Sequence, residues 1–304
     1  MSFSTPILFI TFNRLETTKK VFEQISLIKP QKLYISSDGP RLNKKNEINL
    51  VIEIREYLLS SINWECEVHT LFFEENNGCK KAVSSSINWL FQNEKKGIIL
   101  EDDCLPNSSF FNFCEQMLDL YEFDKRIWHI SGYNFFNEKK FTNFDYNFTK
   151  YINVWGWATW SDRWSKYDVA ITNFKQFNLN NEIININFSK KANNFWLKAF
   201  LDVYNNKIDT WDYQWVFTVL SNNGLSIIPQ KNLISNIGFG TNATHTFSDH
   251  VGYSNKKLET LDRLILTHPT FILENKLISD AFNNIYIKKN IFKRIINKLK
   301  LFSK

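Results

Sequence analysis

Cysteine is sparse and unpaired in pattern. Cys66, Cys79, Cys104 and Cys114 form no C-x-x-C pair and no zinc-like spacing, which reads as free thiols of a reducing cytosol. Glycine-rich phosphate loops are missing: neither G-x-G-x-x-G nor G-x-x-x-x-G-K-[ST] occurs, so the dinucleotide and P-loop fingerprints are excluded. No apolar run reaches the roughly 18–20 residues of a membrane helix. The first run, from Ile7, is interrupted by Asn13-Arg14, and the N-terminus shows no basic n-region or long apolar h-region. The expectation is a cytoplasmic protein without a spanning helix. Acid is absent where base is densest. Between Tyr286 and Lys304 seven Lys/Arg stand without a carboxylate, so of the net +6 the rest of the chain carries about −1 (6 − 7). By charge the body is no nucleic-acid binder. Aromatics are plentiful: 28 Phe and 10 Trp in 304 residues suffice for a large core, with some left to line a cleft.

The chain is organised around Gly97-Ile98-Ile99-Leu100-Glu101-Asp102-Asp103-Cys104-Leu105-Pro106. Its apolar residues read as the end of a short buried strand, and Pro106 is expected to turn the chain out of the sheet. Three adjacent carboxylates repel one another, and burying them unpaired costs several kcal/mol or more. A positive partner is required. Oxygen ligands suit Mg²⁺ or Mn²⁺, and no Cys/His set suits zinc. The alternative is an acidic turn capping a helix that starts near Ser108.

Upstream, apolar runs at Ile7–Phe12, Leu33–Ser36 and Cys66–Phe73 alternate with helical patterns through Val21, Phe22 and Ile25, over 44–60, and through Val83, Ile87, Leu90 and Phe91. This βαβαβαβ order predicts an α/β fold with a parallel sheet covered by helices. Polar residues gather after each strand: Asn13-Arg14, Ser37-Asp38, Glu74 to Gly78, and Glu101 to Asp103. In open α/β sheets ligands bind at that edge.

The order Asn13-Arg14, Ser37-Asp38-Gly39-Pro40-Arg41, Glu101-Asp102-Asp103-Cys104, Ile130-Ser131-Gly132-Tyr133-Asn134, Trp155-Gly156-Trp157-Ala158-Thr159-Trp160 and Ala243-Thr244-His245-Thr246 resembles GT-A-fold glycosyltransferases. It is most similar to the N-acetylglucosaminyltransferase I-like group and its bacterial surface-glycan relatives, over about residues 5 to 250. The resemblance implies a GT-A fold, Rossmann-like, with an elaborated acceptor-binding C-terminal half. It implies that Asp38 meets the nucleotide base and Arg14 the base or diphosphate. Glu101 would contact the donor sugar, Asp102 the ribose or the metal's waters, and Asp103 the Mn²⁺ or Mg²⁺ ion. It further implies an inverting hexosyl- or N-acetylhexosaminyltransferase. Sugar would pass from a nucleotide-diphosphate donor of UDP-sugar type to a bacterial glycan or glycolipid acceptor such as lipooligosaccharide or capsule.

An inverting transfer requires a carboxylate to take the acceptor's proton. In the resembled fold that acid opens a helix after the aromatic segment, a place that Asp212 fills better than Asp209; helix capping is the plainer reading. Trp155 and Trp157 offer rings for a sugar's C–H faces, with core packing the alternative. His245, after a polar loop with two glycines, reads as a late metal ligand or diphosphate donor, against an ordinary structural histidine. The helix from Asn107 to Tyr121 is apolar nearly all round and reads as core. Residues 137–150 read as a loop, near the site or simply on the surface, and 173–189 as an irregular linker.

The expected organisation is a nucleotide-sugar-binding half over 1–132, an acceptor-binding and catalytic half over 133–284, and a basic amphipathic helix over 285–304. That last helix suits an anionic membrane surface on the inner face of the cytoplasmic membrane, or else is a frayed terminus or a helix packed on another subunit. Two other functions stay open: a non-catalytic sugar- or membrane-binding protein, and a sugar nucleotidyltransferase. The latter is disfavoured because Asn13-Arg14-Leu15-Glu16 is not its glycine-rich signature.

Overall fold

The computed structural model describes residues 3–136, 139–186, 188–238, 254–261 and 265–284. The basic segment 285–304, and with it the expected terminal helix, lies outside them.

Four strands build the first half: β1 (Ile7–Thr11), β2 (Lys32–Ser37), β3 (Glu67–Phe72) and β4 (Lys96–Glu101). All pair in parallel, β2 with β3 and β1 with both β2 and β4. The crossovers are helices α1 (Leu15–Ile28), α2 (Glu47–Ser60) and α3 (Gly78–Asn93). Each turns one apolar face to the sheet: Val21, Phe22 and Ile25 of α1 are buried, as are Val51, Ile54 and Leu58 of α2. Burial of a side chain of this size stabilises by about 1.5–3 kcal/mol.

After β4 the chain departs from the expected exit at Pro106. Cys104–Pro106 forms a short strand, β5, that pairs antiparallel with β10 (Ile234–Asn236) as a separate two-stranded sheet. Proline is tolerated there because the strand has a free edge. The following helix α4 (Ser108–Leu120) is capped by Asn107, whose side chain accepts from Phe110 N. The acid run therefore caps nothing, which removes one of its two readings. Phe110, Phe111, Phe113, Cys114, Met117 and Leu118 of α4 are all buried.

The second half adds β6 (Ile127–Ser131), β7 (Tyr146–Thr149), β8 (Trp157–Trp160) and β9 (Leu225–Pro229). The eight strands lie in the order β3-β2-β1-β4-β8-β6-β9-β7. Pairing directions make β8 and β7 run against the other six. The sheet is thus mostly parallel and continuous across both halves of the chain.

Two stretches expected to be irregular are ordered. Tyr146–Thr149 of the supposed loop is a fully buried edge strand. The supposed linker holds α6 (Phe174–Leu179) and a 3₁₀ turn over Glu182–Ile186, after the single-turn α5 (Ser161–Trp164). Phe174, Ile183 and Ile186 pack with Trp196, Phe200 and Val203 of α7 (Lys190–Tyr204) and with Val216, Phe217 and Leu220 of α8 (Asp212–Ser221). Their apolar spacing is sparse among asparagines, so only the packing partner reveals it.

Candidate functional site

The chain runs from β1 outward to β2 and β3, then returns to lay β4 on the other side of β1. This reversal leaves a crevice between the carboxyl ends of β1 and β4, where ligands of open α/β sheets bind. Arg14 leaves β1 there, as the residue preceding α1. Glu101 ends β4, and Asp102 and Asp103 follow it.

Arg14 bridges the two aspartates. Its Nη1 donates to Asp103 Oδ2 at 2.8 Å, and Nη2 lies 2.5 Å from Asp102 Oδ1. Phe12 N donates to Asp102 Oδ2 at 3.1 Å. Asp102 is buried, whereas the Asp103 side chain keeps 17% of its surface. The contact at Asp102 Oδ1 is close in distance but off the hydrogen-bonding direction, so that buried oxygen receives no directed bond. The positive partner demanded by the acid run is, in the first instance, this guanidinium.

The titration of the cluster follows. Burial pushes Glu101 up to about 8, with Asp103 and Asp102 adding to the shift. Asp102 rises to about 6, again from burial first, with Arg14 opposing it. Burial alone would lower Arg14; Asp102, Asp103 and Glu101 reverse that and hold it above its usual value.

A second strand pair closes over the cluster. Ile237 N donates to Asp103 O at 2.8 Å, and Asn236 Oδ1 accepts from Gly238 N at 3.0 Å. A side-chain carbon on Gly238 would meet Asp103 Oδ2 and Arg14 Nη1 at 2.2 and 2.6 Å. Only glycine permits this close approach. By pattern Gly238 belongs to a phosphate-wrapping loop; its described role is to cover the ion pair. His245 lies outside the described residues.

Asp38, expected to meet the nucleotide base, makes several bonds within the chain. It is 6% exposed. Oδ1 accepts from Gly39 N and Asn77 N, both at 2.9 Å, and Oδ2 from Asn76 Nδ2 at 2.8 Å. Burial raises its carboxyl despite these bonds. Asp38 thereby fastens the end of β2 to the turn before α3. Asn76 and Asn77 belong to the polar stretch Glu74 to Gly78 after β3; that they hold Asp38 is a pairing across the sheet edge, 38 and 39 residues apart.

Asp212 opens α8, preceded by Trp211, so it sits in the first turn without being the cap residue. Thr210 Oγ1 donates to its Oδ1. Its charge helps raise Glu101, and Asp212 and Asp209 both help raise the thiol of Cys79, for which burial is the main cause. A carbon on Gly78, whose φ is +75°, would come within 3.1 Å of Asp209 Oδ2. The charges of Glu101, Asp103, Asp209 and Asp212 thus all reach Cys79, at the start of α3. No local pattern marks Cys79 as lying within their reach.

The tryptophans divide. Trp157 is 1% exposed and enclosed by His129, Trp164, Trp211 and Trp215 at centroid distances of 5.0–6.0 Å. It presents no ring face to an acceptor, which corrects that expectation. Its place on β8, mid-sheet between β4 and β6, buries both faces. Trp155 precedes Gly156 and is half-buried, edge-on to Tyr133 at 4.9 Å.

Whether these residues fit a divalent cation can be tested on the donors present. Asp102 Oδ1 lacks a directed bond and Asp103 is partly open. Such hard oxygens fit Mg²⁺ or Mn²⁺ held by one or two carboxylates with phosphate oxygens completing the shell. Among the described residues no group of three His, Cys, Asp or Glu gathers into an all-protein cage. The donor set suits an ion shared with a phosphate ligand.

The fold is α/β, with a mostly parallel helix-flanked sheet of Rossmann-like kind. No protein-family model matches the chain, and no curated protein does. Three solved structures show a weak likeness. Mannosyltransferase PcManGT from Pyrobaculum calidifontis, in complex with GDP-Man and Mn²⁺, is 11% identical, with TM-score 0.35 over 53% of this chain and 45% of that one. Glycosyltransferase GlyE of Streptococcus pneumoniae TIGR4 is 10% identical, with TM-score 0.34 over 73% and 45%. An apo UDP-glucose pyrophosphorylase is 9% identical, with TM-score 0.36 over 76% and 93%. The match spans less than half the length of either transferase. At these values the likeness carries no argument about activity.

Proposed function

We propose that the chain is a glycosyltransferase using a nucleotide-diphosphate sugar, of inverting type and assisted by Mn²⁺ or Mg²⁺. The observation that carries this reading is the Arg14–Asp102–Asp103 arrangement at the carboxyl ends of β1 and β4, with Asp212 near enough for its charge to act on Glu101. One half-buried cation beside carboxylates suits a ligand that is itself an anion and brings a metal. A bound divalent ion would supply charge neutralisation to a departing diphosphate.

The chain's own residues take the remaining work. Asp102 and Asp103 would hold the ion, and Asp102 or Glu101 would meet the ribose or the donor sugar. Asp38, through the turn it fastens, would shape the wall for the base. Asp212 would accept the acceptor hydroxyl's proton as that oxygen bonds to the anomeric carbon. The bond to the diphosphate breaks in the same step, and Arg14 lies where the released charge develops. Trp155 is the ring retained for acceptor stacking. We keep as part of this proposal a UDP-sugar donor, a hexosyl or N-acetylhexosaminyl group, and a bacterial surface glycan acceptor. Segment 285–304 would lie on an anionic membrane surface. His245 would be a late metal ligand or diphosphate donor.

The test is thermal stabilisation by UDP, GDP, CDP and dTDP, each with and without Mn²⁺. One nucleotide should raise the melting temperature only with metal, and Asp103→Ala should abolish that metal-dependent part. No shift from any nucleotide under either condition overturns the proposal.

A further inference from the structure

Around the acid pair, nearly everything is fixed except one side chain. Asp102 is pinned through Oδ2 by Phe12 N, and the Asp103 backbone carbonyl is pinned by Ile237 N. Gly238 leaves no space beside Asp103. Arg14 has an anchored backbone too, its carbonyl accepting from Thr18 N at 3.0 Å and from Thr18 Oγ1 at 2.7 Å. Its guanidinium, however, hangs on a long flexible stem and keeps 20% of its side-chain surface. It also occupies the very oxygens, Asp102 Oδ1 and Asp103 Oδ2, that a cation would need.

We infer that Arg14 is an internal stand-in for the divalent cation, and that it yields the Asp102–Asp103 pair only when a diphosphate takes the guanidinium over. The inference rests on the donor-binding reading above and specifies how that site is loaded. A guanidinium and a dication sharing two carboxylates repel each other at short range. Metal alone must displace Arg14 into water, leaving its strong charge-assisted bonds unreplaced. A diphosphate changes the balance, because Arg pairs with phosphate through two parallel bonds as well as it does with carboxylate. The metal then meets free carboxylates and phosphate oxygens together. Metal and nucleotide are therefore coupled, and each raises the other's affinity by the same factor. In this scheme Arg14 is a positioning residue for the metal, and its removal has an unusual sign.

The deciding measurement is Mn²⁺ affinity, read from the free-ion signal in electron paramagnetic resonance, with no turnover involved. Wild type, Arg14→Gln and Arg14→Lys are titrated with Mn²⁺ alone and with UDP, GDP, CDP or dTDP present, after circular dichroism has verified that each is folded. Arg14→Gln should bind Mn²⁺ alone at least tenfold more tightly than wild type. The factor by which nucleotide improves Mn²⁺ binding should shrink by a similar amount. Arg14→Lys keeps the charge but lacks the two-pronged fork, so it should fall between them; it also carries the test if Arg14→Gln does not fold. Were Arg14 only a scaffold for the aspartates, both variants would bind Mn²⁺ alone no better than wild type, or worse, and that result overturns the inference while leaving the donor-binding reading intact. If wild type binds no Mn²⁺ even with every nucleotide, both fall together.

Discussion

Two pairs of aspartates, Asp102 with Asp103 and Asp209 with Asp212, live under different rules. Asp102 and Asp103 sit at the end of a central strand, where Asp102 is almost fully buried and an arginine spans both. Asp209 is exposed, and Asp212 is half-buried in the first turn of α8, with Thr210 as its hydrogen-bond donor. Water and a helix N-terminus favour negative charge at the second pair. At the first pair solvent is shut out from Asp102 and reaches only part of Asp103, and a built-in cation compensates both. The contrast separates a pair that holds a positive charge from the pair to which the proposed mechanism gives the acceptor's proton.

Mutation can probe this contrast, and under the proposed sugar transfer the largest effect belongs to Asp212. Asp212→Asn should lower sugar transfer by about a hundredfold to ten-thousandfold, the usual worth of a general base, while the melting temperature hardly moves. Assaying transfer and melting on the same sample checks both halves of that statement. Next comes Arg14→Met, which leaves buried acids without a partner. It should cost about 3–5 kcal/mol of unfolding free energy at neutral pH, measured by denaturant titration, with the loss shrinking in acid as the carboxyls take up protons. Gly238→Ala should cost about 1–3 kcal/mol through the clash with Asp103 and Arg14, and should also weaken Mn²⁺-dependent nucleotide binding.

A pH prediction concerns the aromatic core behind the second pair. His129 is buried, with Nε2 2.8 Å from Asn153 O and Nδ1 accepting from Trp215 Nε1 at 3.2 Å. Burial lowers it from 6.5 to about 3. Below pH 6.5 the unfolded chain gains a proton that the folded chain refuses, so stability falls as pH drops toward 3. The slope is about 1.4 kcal/mol per pH unit for one proton. Carboxylates and other histidines add their own slopes in this range, so the check is a difference: His129→Gln should flatten the stability profile between about pH 6 and 4 by about one proton. The smallest effect belongs to Asp209→Asn. An exposed acid with no described cation partner should change stability by under about 0.5 kcal/mol, and transfer by far less than Asp212→Asn. Equal losses at both positions would erase the distinction between them.

Much of the first half is legible in the residue order itself. Ile7 to Ile10, Leu33 to Ile35 and Ile98 to Leu100 are continuous apolar runs because helices cover both faces of a parallel strand. Polar residues at their carboxyl ends already mark the site. The second half resists such reading. Tyr146–Thr149 is only four residues long and lies within an asparagine-rich stretch, where local composition outweighs a short alternation. Trp157 carries the chemistry of a sugar platform, and nothing local shows that β8 slots antiparallel between β4 and β6.

The amino-acid order alone determined the α/β alternation, the position of the acid run at a strand end and the need for a positive partner, because these follow from periodicity and from the cost of adjacent buried charges. Only the tertiary structure decided that the partner is Arg14, some ninety residues away in the chain, that Gly238 closes over the pair, and that the charge of Asp212 reaches Glu101. Those are pairings across the sheet, set by which strands lie side by side, and a short-range pattern holds no record of them.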